Sequence, residues 1–187
     1  MHLDVKAAMS AVLKKIKPKL STFYIIRRYL DTETSIIILK TMLAPIFDYC
    51  SFLFECKNAN LLMKLQAQLN RAMRIALRLD RMTSVRDRFG EYNMLNLSSR
   101  RKIQLIMNVV RIFCEEGYNI SDRSTRGTTK ELVYLPRPRC ESYRKSPYYL
   151  GCKLFNELPV ELRKNYKLSG FKIKLKKYLL ELQHIIM

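Results

Sequence analysis

The segment NLLMKLQAQLNRAMRIALRL, residues 60–79, is the strongest indication of the fold. Apolar residues recur in it every three or four positions, which is the spacing of one face of an α-helix. That face comprises Leu62, Leu65, Leu69, Ala72, Ala76 and Leu79. The other face is basic and comprises Lys64, Arg71, Arg74, Arg78 and, just beyond the segment, Arg81. The segment therefore predicts an amphipathic helix with one buried face and one basic face.

Apolar residues at helical spacing also lie upstream of this segment. Residues 7–16 predict a helix that Pro18 interrupts or kinks, because proline lacks the amide donor that a helix interior needs. Asp31 or Thr32 is placed to cap a second helix, which runs until Pro45 kinks it. The N-terminal part of the chain is therefore predicted to be helical.

A long helix is predicted downstream, beginning after Ser98 or Ser99 and ending at Gly117. Its expected buried side chains are Ile103, Ile106, Met107, Val110 and Phe113. Together with the preceding helices it forms a predicted helical subdomain over residues 1–118.

A basic linker is predicted over residues 119–150. Residues 121–130 contain Ser, Thr, Arg and Gly without hydrophobic periodicity, which is typical of an exposed loop. Residues 132–135 are interpreted as a short strand, and Pro136 and Pro138 enforce an extended backbone after it.

A helical tail is predicted over residues 151–187. A short helix over 151–158 is expected to end at Pro159, and Ser169 is placed to cap the last helix. The predicted fold class is therefore mainly α: a helical bundle, a basic loop with a short strand, and a C-terminal helix.

The net charge of the chain is +19, because 35 Lys and Arg oppose 16 Asp and Glu. Such a chain repels itself unless an anionic partner neutralises it, and nucleic acid is the first candidate, with anionic membrane second. Apolar stretches are far shorter than the ~20 residues of a bilayer span, so no transmembrane helix is predicted. Without a signal-peptide pattern, an intracellular location is expected.

Cysteine and histidine are poorly placed for metal chemistry. The five cysteines are scattered, and Cys50 and Cys56 lack the close spacing of a zinc clip. His2 and His184 lie at opposite ends of the chain. We therefore expect reduced, small buried thiols, and no metal, cofactor or small-molecule substrate.

Two basic surfaces are candidates for binding nucleic acid. The arginines of the 60–79 helix could contact successive phosphates, although a solvated helix face would carry similar residues. The second surface combines basic residues with tyrosines that either stack on unpaired bases or form partial core. It comprises Arg123, Arg126, Arg137, Arg139, Arg144 and Lys145 with Tyr134, Tyr143, Tyr148 and Tyr149.

Three sequence motifs in the last third of the chain resemble those of a known family: LPRPRCESYRKSP at 135–147, GCKLFNELPVELR at 151–163 and FKIKLKKYL at 171–179. In this order they resemble the end of a jockey-like, non-LTR retrotransposon reverse transcriptase. Upstream, Pro45, Asp48, Tyr49, Cys50 and Ser51, the run Leu69 to Arg74, and Thr83, Ser84, Val85, Leu95, Leu97, Arg100 and Arg101 also fit that family. The resemblance covers nearly the whole chain, which departs from it in having Phe54 and Phe155 where tryptophan is usual.

The resemblance implies a segment downstream of the polymerase palm, including the helical thumb that grips the template–primer duplex. The palm of an RNA-directed DNA polymerase needs an Asp-Asp pair to hold its metal ions, and this sequence contains none. The resemblance therefore implies that the chain is a non-catalytic fragment of a transposable element's polymerase. It is expected to bind RNA and/or DNA in the nucleus and/or cytoplasm. The alternative is a helical protein-interaction module, or a non-functional relic of a retrotransposon.

Overall fold

The computed structural model describes residues 5–49, 59–115, 132–135 and 137–185. Within these ranges the chain is mainly α-helical, as the sequence predicts. The helices are α1 (Val5–Ile26), α2 (Thr32–Ile38), α3 (Ala44–Asp48), α4 (Ala59–Leu77), α5 (Arg86–Glu91), α6 (Leu97–Glu115), α7 (Glu141–Arg144), α8 (Pro147–Asn156), α9 (Val160–Lys164) and α10 (Phe171–Ile185). A 3₁₀ turn follows α1 at Arg27–Tyr29, and a π-helical turn at Leu39–Leu43 joins α2 to α3.

Helix α1 continues through Pro18, so of the two predicted alternatives, an interruption or a kink, the interruption is wrong. Pro18 lies on the exposed side, while the opposite side buries Met9, Val12, Ile16, Leu20 and Phe23. An interior proline costs about 3 kcal/mol, and burial of several large apolar side chains is worth more than that. Packing therefore keeps the helix intact, and α1 continues past Phe23 to Ile26.

Of the two predicted caps, Asp31 and Thr32, the structure has Asp31 at the start of α2. Its Oδ2 accepts a hydrogen bond from the Thr34 amide at 3.1 Å. The helix widens into the π-helical turn just before Pro45, which lies in the first turn of α3. The missing amide of proline costs little in a first turn. The backbone stays right-handed helical from α2 into α3, so the chain reaches Pro45 through a change of hydrogen-bond pattern and not through a break in the helix.

Helix α4 is the predicted amphipathic helix, and its end is a left-handed turn. Arg78 has φ 58, the Leu79 amide donates to the Arg74 carbonyl at 3.0 Å, and the Arg78 amide donates to the Ile75 carbonyl at 3.3 Å. This pair of bonds is the Schellman motif, which usually places glycine where Arg78 lies. The chain therefore turns away from the axis of α4 after Leu77.

The core consists of two clusters of apolar side chains. The first joins α1, α2 and α3 to α4 and α5. The second joins α6 to α8 and α10, and includes Val133 and Tyr166. Helix α6 thus packs with the predicted tail, and the two clusters divide near residues 95–97.

Helix α6 is capped by Asn96, whose Oδ1 accepts from the Ser99 amide at 2.8 Å. Neither Ser98 nor Ser99 fills that role, because the helix already begins at Leu97. The predicted end at Gly117 lies outside the described residues.

The contact between α6 and α8 is unusually close at Gly151. A Cβ at this position would lie 2.5 Å from Val109 Cγ2 and 2.7 Å from the Leu105 carbonyl oxygen. Beside this crossing, the rings of Phe113, Phe155 and Tyr166 meet edge to face, with centroids 5.8–6.3 Å apart. Glycine is what allows the two backbones to approach and bury these rings.

Helix α8 begins at Pro147, four residues before its predicted start, because Ser146 caps it by accepting from the Tyr149 amide at 3.2 Å. Residues 132–135 do not form the predicted strand. Their backbone is paired instead with a side chain: the Val133 amide donates to Asn156 Oδ1 at 2.8 Å, and Asn156 Nδ2 donates to the Val133 carbonyl at 2.9 Å. The predicted loop at 121–130 lies outside the described residues.

Candidate nucleic-acid interface

A groove lies between the end of α1 and the exposed side of α4, and the turn after α4 forms one of its walls. Its volume is about 760 Å³. The lining residues are Tyr24, Arg27, Ala67, Gln68, Arg71, Arg74, Ile75, Leu79, Asp80, Arg81 and Met82. The groove therefore contains four arginines and a single acid, Asp80.

Helix α4 contributes Arg71 and Arg74, which are three residues apart and so share one side of the helix. Arg71 is exposed, and Arg74 is half-buried. Arg74 Nε donates to the Thr83 carbonyl at 2.8 Å. This bond holds the Arg74 guanidinium against the turn and leaves its terminal N–H groups for another acceptor.

Arg81 enters the groove from the turn and not from the helix face on which the sequence places it. The left-handed conformation of Arg78 redirects the chain, and the exposed side chains of Arg81 and Met82 then line the groove opposite α1. Three of the five residues of the predicted basic face, Arg71, Arg74 and Arg81, are thereby brought together.

The other two predicted residues do not line the groove. Lys64 lies exposed nearer the start of α4. Arg78 Nη2 donates to the Leu30 carbonyl at 3.0 Å, which ties the end of α4 to the chain that follows α1. Arg78 therefore has a structural contact that the helical pattern does not predict.

Arg27, in the 3₁₀ turn after α1, is a groove arginine that sequence reasoning missed. Its Nε and Nη2 are buried and have no hydrogen-bond partner within the described ranges. Burial, followed by the charge of Arg78, lowers the pKa of the Arg27 guanidinium. The Arg27-Arg28 pair directly after an apolar helix was a visible signal, but its position against α4 depends on tertiary packing.

None of the groove arginines takes part in an ion pair between described residues. Arginines elsewhere do so, as in Arg88 with Glu91 at 2.9 Å and Arg111 with Glu115 at 3.8 Å. Positive side chains that line one groove and are not neutralised by ion pairs favour binding of an anion from solution. The groove is therefore chemically suited to phosphate.

The second predicted basic surface is less concentrated. Arg137 and Arg139 are exposed, whereas Arg144 and Lys145 both pair with Glu141, at 3.8 Å and 3.3 Å. Its tyrosines are exposed or half-buried, and the rings of Tyr143 and Tyr149 meet at 5.9 Å. None of these residues lines the groove, and Arg123 and Arg126 lie outside the described residues.

A third basic cluster, which the sequence analysis did not single out, lies where the π-helical turn meets α6 and α10. Burial, followed by the charges of Lys40 and Arg100, lowers the pKa of Lys176. Arg100 is already neutralised, because Asp48 accepts two hydrogen bonds from its guanidinium, one from Nε at 2.7 Å. The resident carboxylate makes this cluster a weaker anion site than the groove.

The cysteines are only partly as predicted. Cys152 is buried, and burial raises the pKa of its thiol to about 11, whereas Cys114 and Cys140 are exposed. Cys50 and Cys56 lie outside the described residues. In the part of the chain that the structure describes, no three His, Cys, Asp or Glu side chains are grouped as a metal site requires, and no helix is long and apolar enough to cross a membrane.

Comparison with protein-family models, with curated proteins and with solved structures finds no match to this chain. The groove is consequently the feature from which function is inferred.

Proposed function

We propose that this chain is a non-catalytic nucleic-acid-binding segment that holds RNA and/or DNA by its phosphates in the α1–α4 groove. The observation that supports the proposal is the set of four groove arginines with a single acid among them. Guanidinium groups bind phosphate oxygens through paired, charge-assisted hydrogen bonds, which suits arginine to this role.

The overall charge is consistent with the same role. A net charge of +19 attracts polyanions over long distances, and the groove supplies a place where that attraction becomes direct contact. The resemblance to the thumb of a non-LTR retrotransposon reverse transcriptase suggests that the ligand is a template–primer. Without an Asp-Asp pair in the sequence, the chain is proposed to bind and not to extend it.

A protein-interaction module is the second candidate, and exposed apolar residues near the end of α1 favour it. Tyr24, Ile25, Ile26 and Tyr29 are 54%, 61%, 44% and 86% exposed. An apolar patch of this kind often marks a binding surface. Association with a protein would be insensitive to salt, which separates the two candidates.

The test is the salt dependence of binding to labelled oligonucleotides. In the variant Arg71→Gln with Arg81→Gln, we expect the slope of log affinity against log salt to shrink by about 0.7–0.9 for each phosphate that is no longer bound. Arg74 and Arg78 are left in place because their bonds to Thr83 and Leu30 support the fold.

The matched control is Arg88→Gln with Arg111→Gln, which removes the same charge from exposed positions outside the groove. It should leave the slope nearly unchanged. Equal effects of the two double variants would contradict a localised phosphate site, and no effect of either would contradict the proposal altogether.

A further inference from the structure

The lining of the groove includes apolar residues as well as arginines. Tyr24 and Met82 line it with 54% and 92% of their surfaces exposed, and Ile75 and Leu79 line it as well. A site for phosphate alone has no need of an exposed aromatic ring and an exposed thioether side chain. The ligand that fits must therefore offer an apolar surface next to its negative charge.

We propose that the groove holds an unpaired nucleotide of a single strand, with its phosphate on the arginines and its base stacked on Tyr24. This inference rests on the proposed nucleic-acid binding and specifies its substrate class. In a duplex the faces of the bases are covered by their neighbours, so a duplex could contact the arginines but could not stack a base on Tyr24. An unpaired base exposes the face that an aromatic side chain binds.

The position of Arg27 supports a phosphate beside Tyr24, because the two residues are three apart near the end of α1. The Arg27 guanidinium lies near that of Arg78 and has no acidic partner among the described residues. A phosphate in the groove would reduce the repulsion between these two groups. Base and phosphate would then meet the last turn of α1 and the 3₁₀ turn that follows it.

Gln68 distinguishes a nucleotide from a simple anion. It lines the same groove, and its buried Oε1 has no donor within the described ranges. A phosphate oxygen cannot satisfy an acceptor, whereas the amino group of a base or a sugar hydroxyl can. The volume of about 760 Å³ is also within the usual range of small-ligand pockets, about 300–1,000 Å³.

The experiment compares fluorescence anisotropy of three labelled ligands: a short single-stranded oligonucleotide, its blunt duplex, and an abasic strand with the same phosphates. We expect Tyr24→Ala to weaken binding of the single strand by about 5- to 150-fold, as for removal of one base–aromatic stack. Binding of the abasic strand should not change. Tyr24→Phe keeps the ring and should bind as the parent chain does.

Tyr29→Ala is the matched control, because Tyr29 is 86% exposed nearby and does not line the groove. Circular dichroism of each variant verifies that the helices are retained. If Tyr24→Ala has no effect while Arg71→Gln with Arg81→Gln still weakens binding, the inference is overturned and the proposed function remains. If neither variant affects binding, both are overturned.

Discussion

Within the described ranges, two residues other than glycine adopt left-handed backbone conformations, Arg78 with φ 58 and Asn93 with φ 51. Each ends a helix, and after α5 the Met94 amide donates to the Phe89 carbonyl at 2.8 Å in the same way as after α4. Asparagine tolerates this conformation, whereas a long side chain in it costs about 1–2 kcal/mol. Arg78 is retained at that cost, and its hydrogen bond to Leu30 offsets part of it.

We predict that Arg78→Ala destabilises the chain more than Arg78→Gly does, by about 1 kcal/mol. Both substitutions remove the bond to Leu30, but only glycine relieves the left-handed strain. Urea denaturation of the two variants measures the difference. Equal stabilities would mean that the backbone at Arg78 carries no strain.

Cys152 predicts a dependence of stability on alkaline pH. Its pKa is raised from 9.0 to about 11 by burial, so the folded state retains the thiol proton more strongly than the unfolded state does. This contribution is fully present below pH 9 and is lost as pH rises toward 11. We expect the free energy of unfolding to fall less over that interval in Cys152→Ala than in the parent chain. Parallel curves would contradict the buried, protonated thiol.

Helices α6 and α8 illustrate how one small residue sets the distance between two elements. We predict that Gly151→Ala destabilises the fold by about 1–3 kcal/mol, because its Cβ would overlap Val109 and the Leu105 carbonyl. Gly170→Ala is the control, since nothing lies within 4 Å of a Cβ there. Thermal unfolding should separate the two variants, and a harmless Gly151→Ala would show that the helices can move apart freely.

The helices with strong periodicity, α4, α6 and α10, were predictable, because burying one apolar face is a local property of the sequence. Helix ends were less so: Asn96 competes with Ser98 and Ser99 for the same cap, and geometry decides between them. The strand predicted over 132–135 is not formed, because its backbone has a partner of another kind. That partner is the side chain of Asn156, far away in sequence.

The groove was predictable only from the α4 side. Arg71 and Arg74 follow from helical spacing, and Arg81 was included although it reaches the groove through a turn. Arg27 and Tyr24 could not be assigned to the same site, because Pro18 suggested that their helix ended earlier. Tertiary packing of α1 against α4 therefore brings Arg27 and Tyr24 into the site.

Charge repulsion should be measurable in the molecule as a whole. At a net charge of +19, we expect the melting temperature to rise from low salt to about 0.1 M NaCl, where the screening length falls to about 10 Å. The variant Arg71→Gln with Arg81→Gln should melt higher than the parent chain at low salt, because two charges are gone. Differential scanning fluorimetry measures both. A melting temperature that falls with salt would indicate that attractive ion pairs dominate.

The side-chain bridge between Asn156 and Val133 means that the fold does not depend on an unbroken backbone around Arg137 and Arg139. Val133 is buried in the second core cluster and is joined to α8 by two hydrogen bonds. Its position therefore does not depend on the covalent connection through residues 137–139. A trypsin-like protease would cleave after Arg139, because Pro138 protects the bond after Arg137, and would produce two polypeptides that remain associated. They would come apart only under denaturing conditions.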